Sequence, residues 1–294
     1  MEQLLQQLIN GISLGSIYAL IALGYTMVYG IIGLINFAHG DIYMVGAYVG
    51  FALTTFLGLG FLPALIISML VCSILGILIE KIAYKPIRNS TRIAALITAI
   101  SVSLFLQYTM MYFVKPDTRT FPTVLKSKIL TFFDGKVILD VKNIYIVAVT
   151  IILMIGLQYI VHRTKIGKAI RAVSLDKDAA ELMGIDVNKT ISYTFAMGSA
   201  LAGAAGVLVG VYYNTINPLM GAGPGLKAFV AAVLGGIGVI PGAAFGGFFL
   251  GMIETVVTAY GGSIFKDALS FGILILVLLV RPNGLLGKTV KEKV

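Results

Sequence analysis

Phosphate chemistry is the first possibility that the residues suggest. Gly287-Lys288-Thr289 resembles the end of a phosphate-binding loop, but that motif needs a glycine five positions before Gly287, where this chain has Pro282. Metal chemistry is equally poorly supported, because the two histidines, His39 and His162, and the single cysteine are not spaced as metal ligands. The sequence therefore predicts neither an ATPase nor a metal site, and we expect no directly bound cofactor.

Polar side chains within apolar sequence suggest a second chemistry, the passage of a solute through a membrane. Asn36, His39 and Asp41 lie between two apolar runs, and Glu254 lies inside another. Such groups are costly in hydrocarbon, so they should face protein, water or the interface. The first three fit a helix break that lines or gates a translocation path, and equally a turn with capping Asn and Asp. Glu254 fits a path or gate residue and equally a structural hydrogen-bonding group, while Lys227 is expected to snorkel at the interface.

A polar, basic segment at residues 163–190 separates two apolar runs and contains a short helical pattern. The predicted helix covers residues 176–183, with aspartates in its first turn that complement the helix dipole and a glycine that suits its C-terminal stop. Its two alanines are expected to offer a small surface to a partner's groove. We interpret the segment as a docking segment, although physical reasoning alone favours a solvated loop helix. The residues expected to couple it to a partner are Asp178, Ala179, Ala180, Glu181 and Gly184.

The composition shows what must position these groups. The chain has 294 residues, of which 58% are hydrophobic and 12% charged, whereas soluble domains carry about 25% charged residues. Several apolar runs approach the roughly 20 residues that cross a bilayer. The sequence predicts an all-α, polytopic membrane protein with a single permease domain over residues 1–294. The net charge of +9 resides in loops between apolar runs, which indicates membrane topology rather than nucleic-acid binding.

The apolar runs predict about eight or nine membrane or half-membrane segments. Seven of the predicted spans cover residues 8–31, 42–57, 61–79, 93–114, 144–161, 191–213 and 264–280. A longer apolar stretch, residues 226–260, is interrupted by small residues and a proline that predict a helix break. We favour two crossings here over one bent span. The predicted break residues are Gly235, Gly236, Gly238, Pro241 and Gly242.

The basic residues divide unequally between the predicted loops. Fourteen Lys and Arg residues lie in the loops 81–92, 163–190 and 281–294, and six lie in the loop 115–143. Because cytoplasmic loops carry an excess of basic residues, we expect the docking segment and the C-terminus in the cytoplasm. Two crossings in residues 226–260 then place the N-terminus outside, whereas one crossing places it inside.

Five groups of residues carry a family resemblance. They are Asn36-Phe37-Ala38-His39-Gly40 with Gly46-Ala47-Tyr48; Gly167-Lys168-Ala169-Ile170-Arg171-Ala172; Ala179-Ala180-Glu181-Leu182-Met183-Gly184-Ile185; Gly235-Gly236-Ile237-Gly238 with Pro241-Gly242-Ala243 and Gly246-Gly247; and Arg281-Pro282-Asn283-Gly284-Leu285-Leu286-Gly287. In this order, over essentially the whole chain, they resemble permease subunits of bacterial ABC importers for branched-chain amino acids, of the LivH type. Importers of this kind share a cytoplasmic motif of Glu-Ala-Ala, three residues and Gly. Asp178-Ala179-Ala180 and Gly184 match it with Asp for Glu, and the downstream Ile-x-Leu-Pro is missing.

The resemblance implies a subunit of the bacterial inner membrane that moves leucine, isoleucine and valine. It implies a second homologous permease subunit, two cytoplasmic ATP-binding subunits that use the ATP, and an extracytoplasmic substrate-binding protein. Two other hypotheses are a related importer for urea or short amides and a self-sufficient secondary transporter or channel. A membrane scaffold without transport is the least favoured, because broken, glycine-rich helices are typical of transporters.

Overall fold

The computed structural model describes residues 2–88, 90–125, 129–133 and 135–287. Lys126, Lys128 and the tail from Lys288 onward, including Lys288 and Thr289 of the loop motif, lie outside these residues. The helices are α1 (Glu2–Ile32), α2 (His39–Phe56), α3 (Phe61–Ile79), α4 (Arg92–Val114), α5 (Val141–Arg163), α6 (Lys165–Leu175), α7 (Lys177–Leu182), α8 (Val187–Tyr213), α9 (Ala222–Gly235), α10 (Ile240–Tyr260) and α11 (Phe265–Val280). The strands are β1 (Arg119–Thr120), β2 (Ile129–Phe132), β3 (Val137–Asp140) and β4 (Thr215–Ile216), in the antiparallel pairs β1–β4 and β2–β3.

The helices confirm the predicted all-α, polytopic membrane class. Within the described residues, six helices are long and apolar enough to cross a membrane: α1, α3 with its continuation to Ile87, α4, α5, α8 and α10. The apolar helices α2, α9 and α11 are shorter, with 18, 14 and 16 residues. A 14-residue helix is only about 21 Å long, less than the roughly 30 Å of a bilayer core, so α9 spans part of the membrane.

The bundle has two distinct ends. At the end that we call the hairpin end, the β2–β3 hairpin meets the start of α1, where Gln6 Nε2 donates to Ile138 O at 3.0 Å. At the end that we call the α7 end, α6 and α7 connect α5 to α8, and Arg88 Nη1 donates to Asn188 Oδ1 at 2.7 Å. The turn 281–287 is also at the α7 end, beside the break between α9 and α10. The described parts of the three strongly basic loops therefore share one end of the bundle.

Close helix packing at glycines builds the core around α1 and α8. A Cβ atom at Gly15 of α1 would lie 2.8 Å from the Cα of Phe248 in α10. A Cβ atom at Gly46 of α2 would lie 2.5 Å from the Cα of Gly203 in α8. Small residues permit this approach in lipid, where van der Waals packing holds helices together. Both pairs of helices would have to separate to accept even an alanine at these positions.

Two helices begin inside the bundle rather than at its surface. His39 lies in the first turn of α2, and its ring fills the space beside Gly24 of α1. Gly24 precedes the end of α1 by eight residues, which is roughly 12 Å along the helix. The start of α9 lies beside the start of α2, because a Cβ atom at Gly221 would lie 2.5 Å from Gly40 O. From there α2 runs to the hairpin end and α9 to the α7 end. Two helix N-termini therefore meet in the interior.

Candidate functional site

The Asp41 carboxylate lies where these two N-termini meet. Asp41 is in the first turn of α2 and is only 1% exposed. Its Oδ2 accepts a hydrogen bond from Ser103 Oγ at 2.5 Å, and its Oδ1 accepts one from Gln107 Nε2 at 2.9 Å. Ser103 and Gln107 are one helical turn apart on α4, so they present both donors from the same face. Among the described residues, Asp41 forms no ion pair.

Asp41 and Ser103 line a cavity of about 280 Å³ between α4 and the start of α9, which we call the α4–α9 groove. Gly221, Ala222 and Gly225 of α9 form part of its wall. The remaining walls are aromatic or aliphatic: Tyr25, Phe37, Leu96, Ile100, Leu104 and Leu226. The three apolar α4 residues of the wall are partly exposed, so the groove opens at the side of the bundle. A small, mostly apolar cavity with a few polar groups is typical of a small-molecule site.

Asn36 and His39 flank this region but do not line the groove. Asn36 Oδ1 accepts a hydrogen bond from Tyr84 OH at 2.9 Å, and the His39 ring packs edge-on against Tyr25 with centroids 4.8 Å apart. The N-cap residue of α2 is Ala38, without a side-chain cap. The side-chain capping that the turn alternative expected of Asn36 and Asp41 is therefore wrong, because both side chains bond to other helices instead.

Glu254 is the second buried carboxylate, and it belongs to an ion-paired cluster. Its Oε1 lies 2.6 Å from Lys227 Nζ, and its Oε2 accepts a hydrogen bond from Tyr18 OH at 2.9 Å. Lys227 Nζ also lies 2.7 Å from Asp267 Oδ1. We call Tyr18, Lys227, Glu254 and Asp267 the Lys227 cluster. It joins α1, α9, α10 and α11 through charge-assisted bonds, which are about twice as strong as neutral ones.

The position of Lys227 corrects the expectation that it snorkels at the interface. The residue is only 7% exposed, and its ammonium group is held between two carboxylates. The α9 helix begins inside the bundle, so the side chain reaches Glu254 instead of the surface. The Lys227 cluster lines a cavity of about 370 Å³, together with Tyr43 and Tyr213. Tyr213 ends α8 at the hairpin end, so this cavity is near that end.

The break residues lie between α9 and α10, at the α7 end. Gly236 and Gly238 have φ angles of 109° and 89°, a left-handed region that strongly favours glycine. Pro241 is in the first turn of α10, where its missing N–H costs no helical hydrogen bond. Gly235 and Gly242 are in contact, and Gly235 O accepts a hydrogen bond from Leu286 N at 3.0 Å. The break thus lies where the sequence predicts it and is also bound to the C-terminal turn.

The α7 helix, with the end of α6 before it and Met183 after it, presents an exposed apolar surface. Asp176 caps it, because its Oδ1 accepts a hydrogen bond from Ala179 N at 3.0 Å, and Gly184 follows it with a φ angle of 82°. Leu175, Leu182 and Met183 are 89%, 88% and 82% exposed. Large exposed apolar side chains that lie close together mark protein–protein or membrane interaction sites. We call these three side chains, with the exposed Asp178, Ala179 and Glu181, the α7 surface.

Ala180 departs from the sequence expectation that both alanines offer a surface. It is 4% exposed, and its carbonyl accepts a hydrogen bond from Ile185 N at 3.0 Å. Ala180 faces the rest of the protein from this short helix, so of the two alanines only Ala179 is exposed.

The next helix, α8, is also capped locally, because Asp186 Oδ1 accepts a hydrogen bond from Lys189 N at 2.9 Å. That bond holds the pKa of Asp186 below its usual range.

Four residues in these sites were missed by reasoning from the sequence: Ser103, Gln107, Tyr18 and, as a buried group, Lys227. Ser103 and Gln107 had a usable signal, since two polar residues four apart in an apolar helix share one face. Tyr18 had none, because its partner is 236 positions away along the chain.

Comparison with known proteins gives a consistent result. The family described as branched-chain amino acid transport system, permease component, matches residues 7–278. The high-affinity branched-chain amino acid transport system permease protein BraD of Pseudomonas aeruginosa is 46% identical, covering 99% of this chain and 98% of that protein. The corresponding LivH of Escherichia coli K12 is 43% identical, covering 99% and 97%.

Two more distant proteins extend the comparison. The probable branched-chain amino acid transport permease protein LivH of Methanocaldococcus jannaschii is 31% identical, covering 92% of this chain and 89% of that protein. Among solved structures, PsaBC from Streptococcus pneumoniae in complex with Fab matches with a TM-score of 0.50 and 13% identity, covering 93% of this chain and 91% of that one. At that identity the structural match supports a common fold alone.

Proposed function

The chain belongs to the family of branched-chain amino acid transport permease components, and from this premise we propose that it conducts leucine, isoleucine and valine as a subunit of an ATP-driven importer. The observation that carries the proposal is 46% identity over 99% of the chain to a permease named for this substrate class. The chain supplies the path, while two cytoplasmic ATP-binding subunits supply the energy. A second homologous permease completes the path, and an extracytoplasmic binding protein delivers the substrate.

The α7 surface is the proposed docking site for an ATP-binding subunit. Its exposed leucines and methionine offer apolar area whose removal from water favours a complex. Ala179 lets a partner approach the helix backbone closely. Behind α7, the α6 helix contacts α1, α5 and α8, so a movement of α7 is transmitted to three membrane helices. ATP binding then favours one of two conformations of the permease pair, because the partners bind the two states unequally.

The proposed orientation places the α7 end in the cytoplasm and the hairpin end outside. It is supported by the excess of Lys and Arg in the loops at the α7 end. The only cysteine, Cys72, is buried, so added cysteines can be labelled selectively. In intact spheroplasts, a membrane-impermeant maleimide should label Thr131→Cys at the hairpin end and label Ser174→Cys in α6 only after lysis. The reverse pattern would invert the orientation.

The central test is purification and reconstitution of the complex. The chain should co-purify with ATP-binding subunits, and the ATPase activity in liposomes should rise when leucine-loaded binding protein is added. Uptake of labelled leucine should be reduced by unlabelled isoleucine or valine and not by urea. Transport by the chain alone without ATP, or competition by urea, would overturn the proposal.

The docking role is tested by Asp178→Lys and Gly184→Val. The first reverses a charge on the α7 surface, and the second places a β-branched residue at a φ angle of 82°. Both variants should insert normally and lose the coupling of ATP hydrolysis to uptake. The matched control is Gly58→Val, which puts the same residue at a φ angle of 61° in the loop after α2. Normal uptake by both α7 variants would remove the docking assignment.

A further inference from the structure

We infer that the Asp41 carboxylate is the recognition element for the α-ammonium group of the substrate, which occupies the α4–α9 groove with its aliphatic side chain against α4. The inference rests on the proposed transport function and assigns a substrate-contacting residue to it.

Burial disfavours the charge on Asp41, and the groups among the described residues that favour it include no cation. Two neutral donors, Ser103 Oγ and Gln107 Nε2, bond to its oxygens. The carboxylate also lies in the first turn of α2 and beside Gly221 at the start of α9, where the positive ends of both helix dipoles favour an anion. Within the described chain, no Lys or Arg pairs with it. A buried anion built in this way is prepared for a cation that comes from outside the chain.

The groove also has the shape and chemistry for the rest of an aliphatic amino acid. Its volume of about 280 Å³ is near the lower limit of small-molecule sites, which suits a single amino acid. Leu96, Ile100 and Leu104 lie at intervals of four residues and form one apolar stripe along α4. Asp41 and Ser103 are the polar groups beside that stripe. When the substrate ammonium binds Asp41, the substrate side chain therefore packs against Leu96, Ile100 and Leu104.

The location agrees with a path between two permease subunits. The groove opens at the side of the bundle, where Leu96, Ile100 and Leu104 are all partly exposed. A second permease that covers this side would enclose the groove, and a substrate bound there would lie between the two subunits. The start of α9 is part of the groove, and α9 ends at the break that contacts the C-terminal turn. A shift of α9 would therefore change the wall of the groove.

Uptake by the complete importer provides the first test. Asp41→Asn keeps the size of the side chain and removes its charge, so leucine uptake should fall roughly tenfold to a hundredfold. The ATPase activity of the Asp41→Asn importer should still rise when leucine-loaded binding protein is added. Ser103→Ala should lower uptake roughly two- to tenfold. The matched control, Ser101→Ala, removes an exposed hydroxyl from the same helix and should leave uptake unchanged. Unchanged uptake by Asp41→Asn would overturn the inference.

Occupancy of the groove provides a second test that does not depend on transport. In the complete importer without binding protein, Leu104→Cys should react with a soluble maleimide, and leucine should slow the reaction. Isoamylamine, which has the ammonium and no carboxylate, should also slow the labelling. The compound 4-methylpentanoate, which has the carboxylate and no ammonium, should not. All protection should disappear when Asp41→Asn is added.

The outcomes separate this inference from the proposed function. An importer that transports leucine normally while leucine leaves Leu104→Cys labelling unchanged would overturn the groove and keep the function. Protection that survives Asp41→Asn, or protection by sodium ion at equal ionic strength, would also overturn it. A complex that does not transport leucine at all would instead reject the proposed function.

Discussion

Asp41 and Glu254 are both buried carboxylates among apolar helices, with exposures of 1% and 5%, yet their partners differ in charge. Glu254 bonds to the Lys227 ammonium and the Tyr18 hydroxyl. Asp41 bonds to a hydroxyl and an amide, both neutral. A buried charge that is paired within the chain can fasten helices together, whereas a buried charge without a counter-ion remains able to bind one. The comparison teaches that burial alone does not define the role of an intramembrane acid.

The largest effect should follow removal of the ammonium in the Lys227 cluster. Lys227→Met leaves Glu254 and Asp267 without their cation, and breaking a buried ion pair from one side costs about 3–5 kcal/mol. Denaturant unfolding of the purified chain in detergent measures this loss of stability. The control is Lys227→Met with Glu254→Gln, which removes both buried charges and should recover most of the lost stability. If Lys227→Met alone were as stable as this double variant, burying Glu254 without Lys227 would cost no stability.

Sequence reasoning found the two carboxylates but not the partners that distinguish them. Both acids stand out in apolar sequence, so both were identified as candidates. Their partners come from distant elements: Ser103 is 62 positions from Asp41, and Lys227 is 27 from Glu254. The helices themselves were predictable, because long apolar runs leave few alternatives; the predicted third span, residues 61–79, coincides with α3. The starting points of α2 and α9 inside the bundle depend on helix packing, and that packing decides which polar groups meet.

A smaller effect is expected at the hydroxyl that completes the Lys227 cluster. Tyr18→Phe leaves Glu254 paired with Lys227 but removes the donor to Oε2, and a hydrogen bond to a charged group contributes about 1.5–3 kcal/mol. The same unfolding measurement applies. Tyr29→Phe, a control in the same helix with no side-chain hydrogen bond among the described residues, should change little. Equal losses in the two variants would assign the effect to α1 packing and not to Glu254.

A still smaller effect is expected at the outer carboxylate of the cluster. The Asp267 side chain is 57% exposed, so water screens its attraction to Lys227. Asp267→Asn should therefore cost at most about 1 kcal/mol, and less at high salt. Unfolding at two salt concentrations measures both quantities. A salt-independent loss as large as that of Lys227→Met would mean that Asp267, and not Glu254, is the main partner of Lys227.

The smallest effect on stability should occur at Asp41, where the effect on function is expected to be large. Asp41→Asn breaks no ion pair among the described residues. The amide oxygen can still accept a hydrogen bond from Gln107 while the amide nitrogen donates one to Ser103. Removing a buried charge that lacks a cation also removes its desolvation cost. The free energy of unfolding should therefore change by less than about 1 kcal/mol. Unfolding of Asp41→Asn beside Lys227→Met measures the contrast directly. If Asp41→Asn were destabilised as strongly as Lys227→Met, Asp41 would be a fastening group like Glu254, and its lost transport would follow from lost structure.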